Sequence, residues 1–251
     1  MRLARLVVLA SVFTSLALAA AACGGGAGDK KPEGKKASAA SQKPAPTGSA
    51  VIKGVVKFEG TPPPPEPWGG ASNAECKRLR AEDTIQLVKV KDGKLEDAFV
   101  YVKAGLPEGT YEAPAAKIEF DQKGCEFTPR VFGVVAGETL AVTNGDNFMH
   151  NVKSPEWNQG FPFGVKKDMK LDNAAVMATI KCDVHPWMRA YAGVMDHPYF
   201  AVTKADGAFE IKGLVDGDYT VAAWHEKLGA VEAKVKATAA APGGVDLTYK
   251  K

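Results

Sequence analysis

The segment Cys182-Asp-Val-His185-Pro-Trp-Met188 and the upstream Met149-His150-Asn151-Val152 together offer one thiolate, two imidazoles and one thioether. This donor set suits copper cycling between Cu(I) and Cu(II). Soft sulfur favours Cu(I), imidazole serves both states, and a weak axial Met tunes the potential. The spacing points the same way. A short loop between two strands can gather Cys182, His185 and Met188 around one point, and the remaining ligand must come from a neighbouring strand. The sequence places His150 at the end of one, after Thr139-Leu-Ala-Val-Thr143 and a Gly145/Asp146 turn. Alone, Cys182 would read as a small buried hydrophobe and His185 as an ordinary loop histidine. Combined with His150 in this order, they follow the logic of dispersed N/S metal sites.

Other residues compete for roles. Met195 is a rival axial ligand, but it lies on a segment that reads as a strand, and Met188 has the better loop position. His197 and His225 are the remaining histidines and read as structural or interfacial more readily than as a second metal site. Trp187 sits between two ligands, and Phe161-Pro-Phe-Gly164 is a candidate wall of the same face. Asp146 and Asp183 read as loop solvation. There is no positioned nucleophile, no pair of catalytic carboxylates and no Gly-rich phosphate loop, so the expectation is not an enzyme.

These motifs resemble those of the type 1 (blue) copper proteins, the cupredoxins, and most closely their amicyanin- and plastocyanin-like members. The resemblance rests on His150-Asn151-Val152 and Cys182-x-x-His185-x-x-Met188, and covers roughly residues 115–197. It implies a trigonal plane of His150, Cys182 and His185 with Met188 axial, around one type 1 copper ion. It also implies that Asn151 hydrogen-bonds across to the Cys loop and holds it shut. Trp187 would pad the site near the solvent edge of His185, where electrons enter and leave.

The first 22 residues read as a targeting segment: Arg2 and Arg5 precede an apolar run from Leu6 to Ala22,. Leu18-Ala-Ala-Ala-Ala-Cys23 resembles a lipobox, with Ala where Leu is usual three positions before the cysteine. Cys23 is therefore expected to carry lipid, giving an exported lipoprotein on the periplasmic face of a membrane, the outer one in a diderm cell. The alternative is ordinary signal-peptidase cleavage with Cys23 left free. Residues 23–50, Gly-, Ala-, Lys-, Pro- and Ser-rich, read as a flexible tether. With Cys23 lipidated and Cys182 on metal, Cys76 and Cys125 remain of the four cysteines. In an oxidising compartment they are expected to form a disulfide, the alternative being two free buried thiols.

Charge excludes one class of partner. The first fifty residues carry +5 of a total of +3, leaving −2 on residues 51–251. No Arg/Lys stripe with interleaved aromatics suggests nucleic acid. The folded part reads as short strands at 51–58, 84–90, 98–103, 117–120, 130–135, 139–143, 175–180, 189–195, 199–203, 208–211, 219–224, 230–236 and 245–249, with one short helix at 73–80. The expected class is all-β: a cupredoxin-like Greek-key sandwich over 113–197 plus a smaller sandwich. Phe200-Ala-Val-Thr203, Asp206-Gly-Ala-Phe209 and Asp216-Gly-Asp-Tyr219 in 198–251 resemble a carboxypeptidase regulatory-like (transthyretin-like) module. Gly54-Val-Val-Lys-Phe58 and Ala98-Phe-Val-Tyr-Val102 in 51–112 resemble its first strands. Either the copper segment is inserted within that module, or two sandwiches follow in series.

The function expected is membrane-tethered electron transfer to a redox partner such as a cytochrome or oxidoreductase. A copper-trafficking or storage lipoprotein and a metal-free binding module are the alternatives.

Overall fold

The computed structural model describes residues 44–251. The targeting segment, Cys23 and the tether up to residue 43 lie outside the described residues. The tether was expected to run to residue 50, but its end belongs to the fold. The Ala45 N–H donates to the Thr110 carbonyl and the Gly48 N–H to that of Gly213. Ala50, fully buried, opens the first long strand.

The fold is all-β, and its strands sort into two sets. In the first set, Ala50–Glu59 pairs antiparallel with Ala208–Leu214 and parallel with Leu247–Lys250. Opposite it, Phe99–Ala104 lies between Phe200–Val202 and Gly217–His225, with Gly229–Ala237 outermost. Alternating apolar residues of these strands (Ile52, Val56, Val100, Val102, Ile211, Val221) fill the core between them, as a half-buried strand pattern requires. Strands before residue 105 thus pair with strands after residue 199, and this outer sandwich encloses the intervening segment in sequence.

That segment forms its own two sheets. One runs in the order Lys166–Lys170, Thr139–Asn144, Ile118–Lys123, Glu126–Thr128. The other runs Asn158–Phe161, His150–Lys153, Ala175–Lys181, Arg189–Met195, Val131–Val135. Phe120, Phe127, Phe132, Leu140, Val142 and Ile180 pack between them. Two glycines explain how the inner and outer sets meet. Gly133 and Gly193 are register partners on neighbouring strands. A Cβ on Gly193 would lie 2.2 Å from the Phe99 ring, and one on Gly133 2.4 Å from Phe200. Their bare backbone lets outer-sandwich rings lie flat against the inner sheet, beside Met177 and Met195.

Several local expectations changed. The helix is shorter than 73–80: Asn73 caps it, its side chain accepting from the N–H groups of Glu75 and Cys76, and it spans Ala74–Lys77,. The run 84–90 is two short pieces, Thr84–Ile85 and Val90–Lys91. His150 does not end the strand at 139–144; it opens a separate strand, His150–Lys153, in the opposing sheet. The Gly145–Met149 loop carries the chain across, which lets His150 face the Cys182 loop.

Candidate metal centre

Cys182, His185 and Met188 occupy the loop between Ala175–Lys181 and Arg189–Met195, which are antiparallel neighbours. The loop is closed by its own hydrogen bonds. The Met188 N–H donates to the His185 carbonyl at 2.9 Å, the Cys182 N–H to the Met188 carbonyl at 3.3 Å, and the His185 N–H to Cys182 Sγ at 3.3 Å. His150 arrives from the adjoining strand. Its Nδ1 lies 2.8 Å from His185 Nδ1, which in turn lies 3.9 Å from Cys182 Sγ. All three side chains are buried, and their ligand atoms fall within 4.8 Å of one another.

The Cys182–His185 separation fits one ion, and the shorter one between the two Nδ1 atoms would have to widen around it. Nitrogen ligands at about 2.0 Å and a thiolate at about 2.3 Å from a common centre lie three to four ångströms apart. Two ring nitrogens facing each other at 2.8 Å need something between them. A shared proton satisfies both, and a metal ion that displaces that proton does the same.

The electrostatics ease loss of the thiol proton. Burial alone would push the Cys182 thiol up, but hydrogen bonds from His150 and from the loop amides outweigh it and hold its pKa below the ordinary value,. Burial opposes charge on His150, yet its bonds to Asp146 and Cys182 raise its pKa. His185, desolvated and next to His150, is pushed down.

Asn151 bonds to the Cys loop from the strand that carries His150. Its Oδ1 accepts from the N–H groups of Asp183 (2.6 Å) and Val184 (3.3 Å) and lies 3.4 Å from Cys182 Sγ. Its amide N–H donates to Asn158 Oδ1, and Asn158 donates to Asp183. Asn151 therefore clamps the Cys loop to the strand that carries His150.

Met188 is buried in the same core as Cys182. Met195 packs elsewhere, with Phe99, Tyr101 and Met177 between the two sandwiches. His197 and His225 are buried in the outer region, and each Nδ1 accepts a backbone N–H two residues on, from Tyr199 and Lys227. Neither belongs to a metal-binding group among the described residues.

Two features escaped sequence reasoning. Asp146 is not a solvated turn residue. It is 4% exposed, and its carboxylate accepts from the Gly124 and Cys125 N–H groups and meets His150 Nε2 at 2.8 Å. Its pKa is lowered despite burial, because these bonds favour the charged form. The second feature is a cover. His185 has no solvent edge; it is 3% exposed. Trp187 packs against its ring at 5.2 Å, and Trp68 sits edge-on to Trp187 at 6.3 Å. The Cys76–Cys125 disulfide is formed, and its sulfurs lie within 4.8 Å of a His185 ring nitrogen. The chain from Trp68 to Lys77 is thus pinned over the site. Of the expected wall, Phe161 is buried in the core and Phe163 is exposed.

No family model matches the chain, and no curated protein matches it. Solved structures that match include amicyanin from Paracoccus versutus, at 21% identity over 38% of this chain and 96% of that one, with a TM-score of 0.29. A purple cupredoxin from Nitrosopumilus maritimus matches at 17% identity over 31% of this chain and 98% of that one, TM-score 0.28. A copper-containing nitrite reductase from Thermus scotoductus matches at 17% over 37% of this chain and 24% of that one, TM-score 0.29. Likeness at this level carries no functional argument, which rests instead on the site.

Proposed function

We propose that this chain is a blue-copper electron carrier, anchored to a membrane through lipid on Cys23. The observation that carries the reading is the convergence of His150 Nδ1, His185 Nδ1 and Cys182 Sγ in one buried cluster. Met188, in the same loop and core, would complete the donor set with its thioether. Copper held there would supply a one-electron couple. The protein's part is rigidity. Asn151 and the loop's own hydrogen bonds fix the donors before metal arrives, so little rearranges when the charge changes. Four protein donors leave no open position for a substrate, which argues against an enzyme. The partner would be a redox protein, and a lipid-tethered chain would meet it at the membrane. The outer sandwich, resembling a carboxypeptidase regulatory-like module, would serve as the scaffold.

A copper-holding lipoprotein is the second reading, and the cover over His185 favours it, since a closed site releases metal slowly. The test is the visible spectrum of the copper-loaded full chain. Intense thiolate-to-copper charge transfer, lost in Cys182→Ser, is expected. A mutant that keeps the colour removes Cys182 from the site. Reversible redox cycling supports the carrier, whereas Cu(I) retained against a chelator with no reversible couple supports holding.

A further inference from the structure

Asp146 makes three contacts through one buried carboxylate. Oδ1 accepts the Gly124 N–H at 2.7 Å, and Oδ2 accepts the Cys125 N–H at 2.8 Å and meets His150 Nε2 at 2.8 Å. The first two come from a turn in which Gly124 and Cys125 both have positive φ, at 65° and 56°. Successive residues in this conformation point their N–H groups into one concavity, a ready seat for an anion. The residue that carries the seated carboxylate is itself held in place by its backbone N–H, which donates to Asn144 Oδ1. Cys125 is also half of the disulfide that lies against His185. One side chain therefore links the turn that roofs His185 to the imidazole of His150.

The consequence for His150 is chemical as well as steric. A carboxylate can only accept, so Nε2 must carry the hydrogen. Nδ1 is then the nitrogen left to face Cys182 and His185. A carboxylate bonded to the far nitrogen of a ligating imidazole makes that imidazole a stronger donor. Its buried negative charge also favours the more positive oxidation state of a nearby metal, since charges interact strongly where water is excluded.

We propose that Asp146 is a positioning residue of the copper site: it fixes His150 with Nδ1 as the ligand nitrogen and holds the reduction potential down. This rests on the copper reading above, and the experiment separates the two. In the full chain, Asp146→Asn preserves size and offers an amide oxygen to Nε2 without the charge, and Asp146→Ala removes the contact. Asp168→Asn, which alters an exposed carboxylate on Lys166–Lys170 in the other inner sheet, is the control. The first readout needs no copper: the ring-nitrogen chemical shifts of His150 in the metal-free and zinc-loaded protein, by NMR. Wild type and Asp146→Asn should show protonated Nε2, and Asp146→Ala should show a mixture of tautomers.

The second readout is the potential of the copper-loaded protein. Asp146→Asn should shift the Cu(II)/Cu(I) affinity ratio about tenfold toward Cu(I), a rise of about 59 mV for one electron. Asp168→Asn should leave it in place. Asp146→Ala should also weaken copper binding by about 10–100-fold. An unchanged potential in Asp146→Asn, or an unchanged tautomer in Asp146→Ala, would overturn the proposal. A wild-type chain that forms no copper–thiolate band would overturn the copper reading and the potential claim together, while the tautomer readout still decides whether Asp146 positions His150.

Discussion

The four histidines fall into two pairs, and all four are buried. In the inner sandwich, His150 and His185 turn their Nδ1 atoms on each other beside a cysteine. In the outer region, His197 and His225 each use Nδ1 to accept a backbone N–H two residues on. The outer rings find their partners in the backbone, of their own turns and of Val102 and Leu87, and burial depresses both. The inner pair is incomplete without something between the rings. Burial is thus no mark of a ligand; convergence of lone pairs with no backbone partner is. The sharpest way to break this comparison is to exchange roles. His150→Gln or His185→Gln should abolish the copper–thiolate colour, while His197→Gln and His225→Gln should keep it at full intensity. Loss of colour in an outer variant would mean that the outer pair also serves the metal.

The two regions also differ in how they are held. The outer sandwich relies on its own core and on the return of Leu247–Lys250 alongside Ala50–Glu59. The inner one carries the covalent link Cys76–Cys125, which closes a sequence separation of 49 residues. Its removal, in Cys76→Ala/Cys125→Ala, should cost about 2–5 kcal/mol, read from denaturant unfolding of the copper-free chain. It should also expose His185 to small added ligands such as imidazole, visible as a change in the copper spectrum. A variant equally stable and with His185 still closed would show that Trp68 and Trp187 hold the cover without the bridge.

Between the regions, Gly193→Ala should cost about 1–3 kcal/mol, because a new methyl meets the Phe99 ring and the packing must yield,. The copper spectrum should not change, since Phe99 and Gly193 meet away from the Cys182 loop. A spectral shift would show that the scaffold interface reaches the site.

How much of this was legible depends on how local each cause is. Cys182, His185 and Met188 share one loop, so spacing alone announced them, and His150-Asn151 completed the pattern. The disulfide was legible by elimination among four cysteines. Asp146 was not, because Gly145-Asp146 looks like a solvated turn; its burial is made by the Gly124–Cys125 turn, 22 and 21 residues away in sequence. The cover is equally non-local, since nothing near Trp68 names His185 as its neighbour. Asn158–Phe161 and Lys166–Lys170 were missed as strands because their sequences, NQGF and KKDMK, are mostly polar. Both are edge strands, held by backbone pairing on one side only, where apolar alternation is not demanded,.

The smallest effect concerns acid. Burial, the largest influence on His197 and His225, favours their neutral forms and lowers both pKa values from the ordinary 6.5. Asp196 near the first, and Glu226 and Asp97 near the second, oppose this without reversing it; Arg130 adds to the depression of His225. As pH falls below about 6.5, the unfolded chain takes up protons that these folded rings refuse. Stability then rises with pH. The contribution of the pair is present above the unfolded value and is lost as pH falls through the folded ones. Unfolding of the copper-free chain at pH 7.5 and pH 5.5 should therefore show a smaller acid penalty in His197→Gln/His225→Gln than in wild type. Taking the difference between the two chains cancels the contributions of His150, His185 and Asp146, which both retain. An identical acid penalty would mean that the outer histidines take up protons as readily folded as unfolded, and the contrast between the two pairs would then rest on geometry alone.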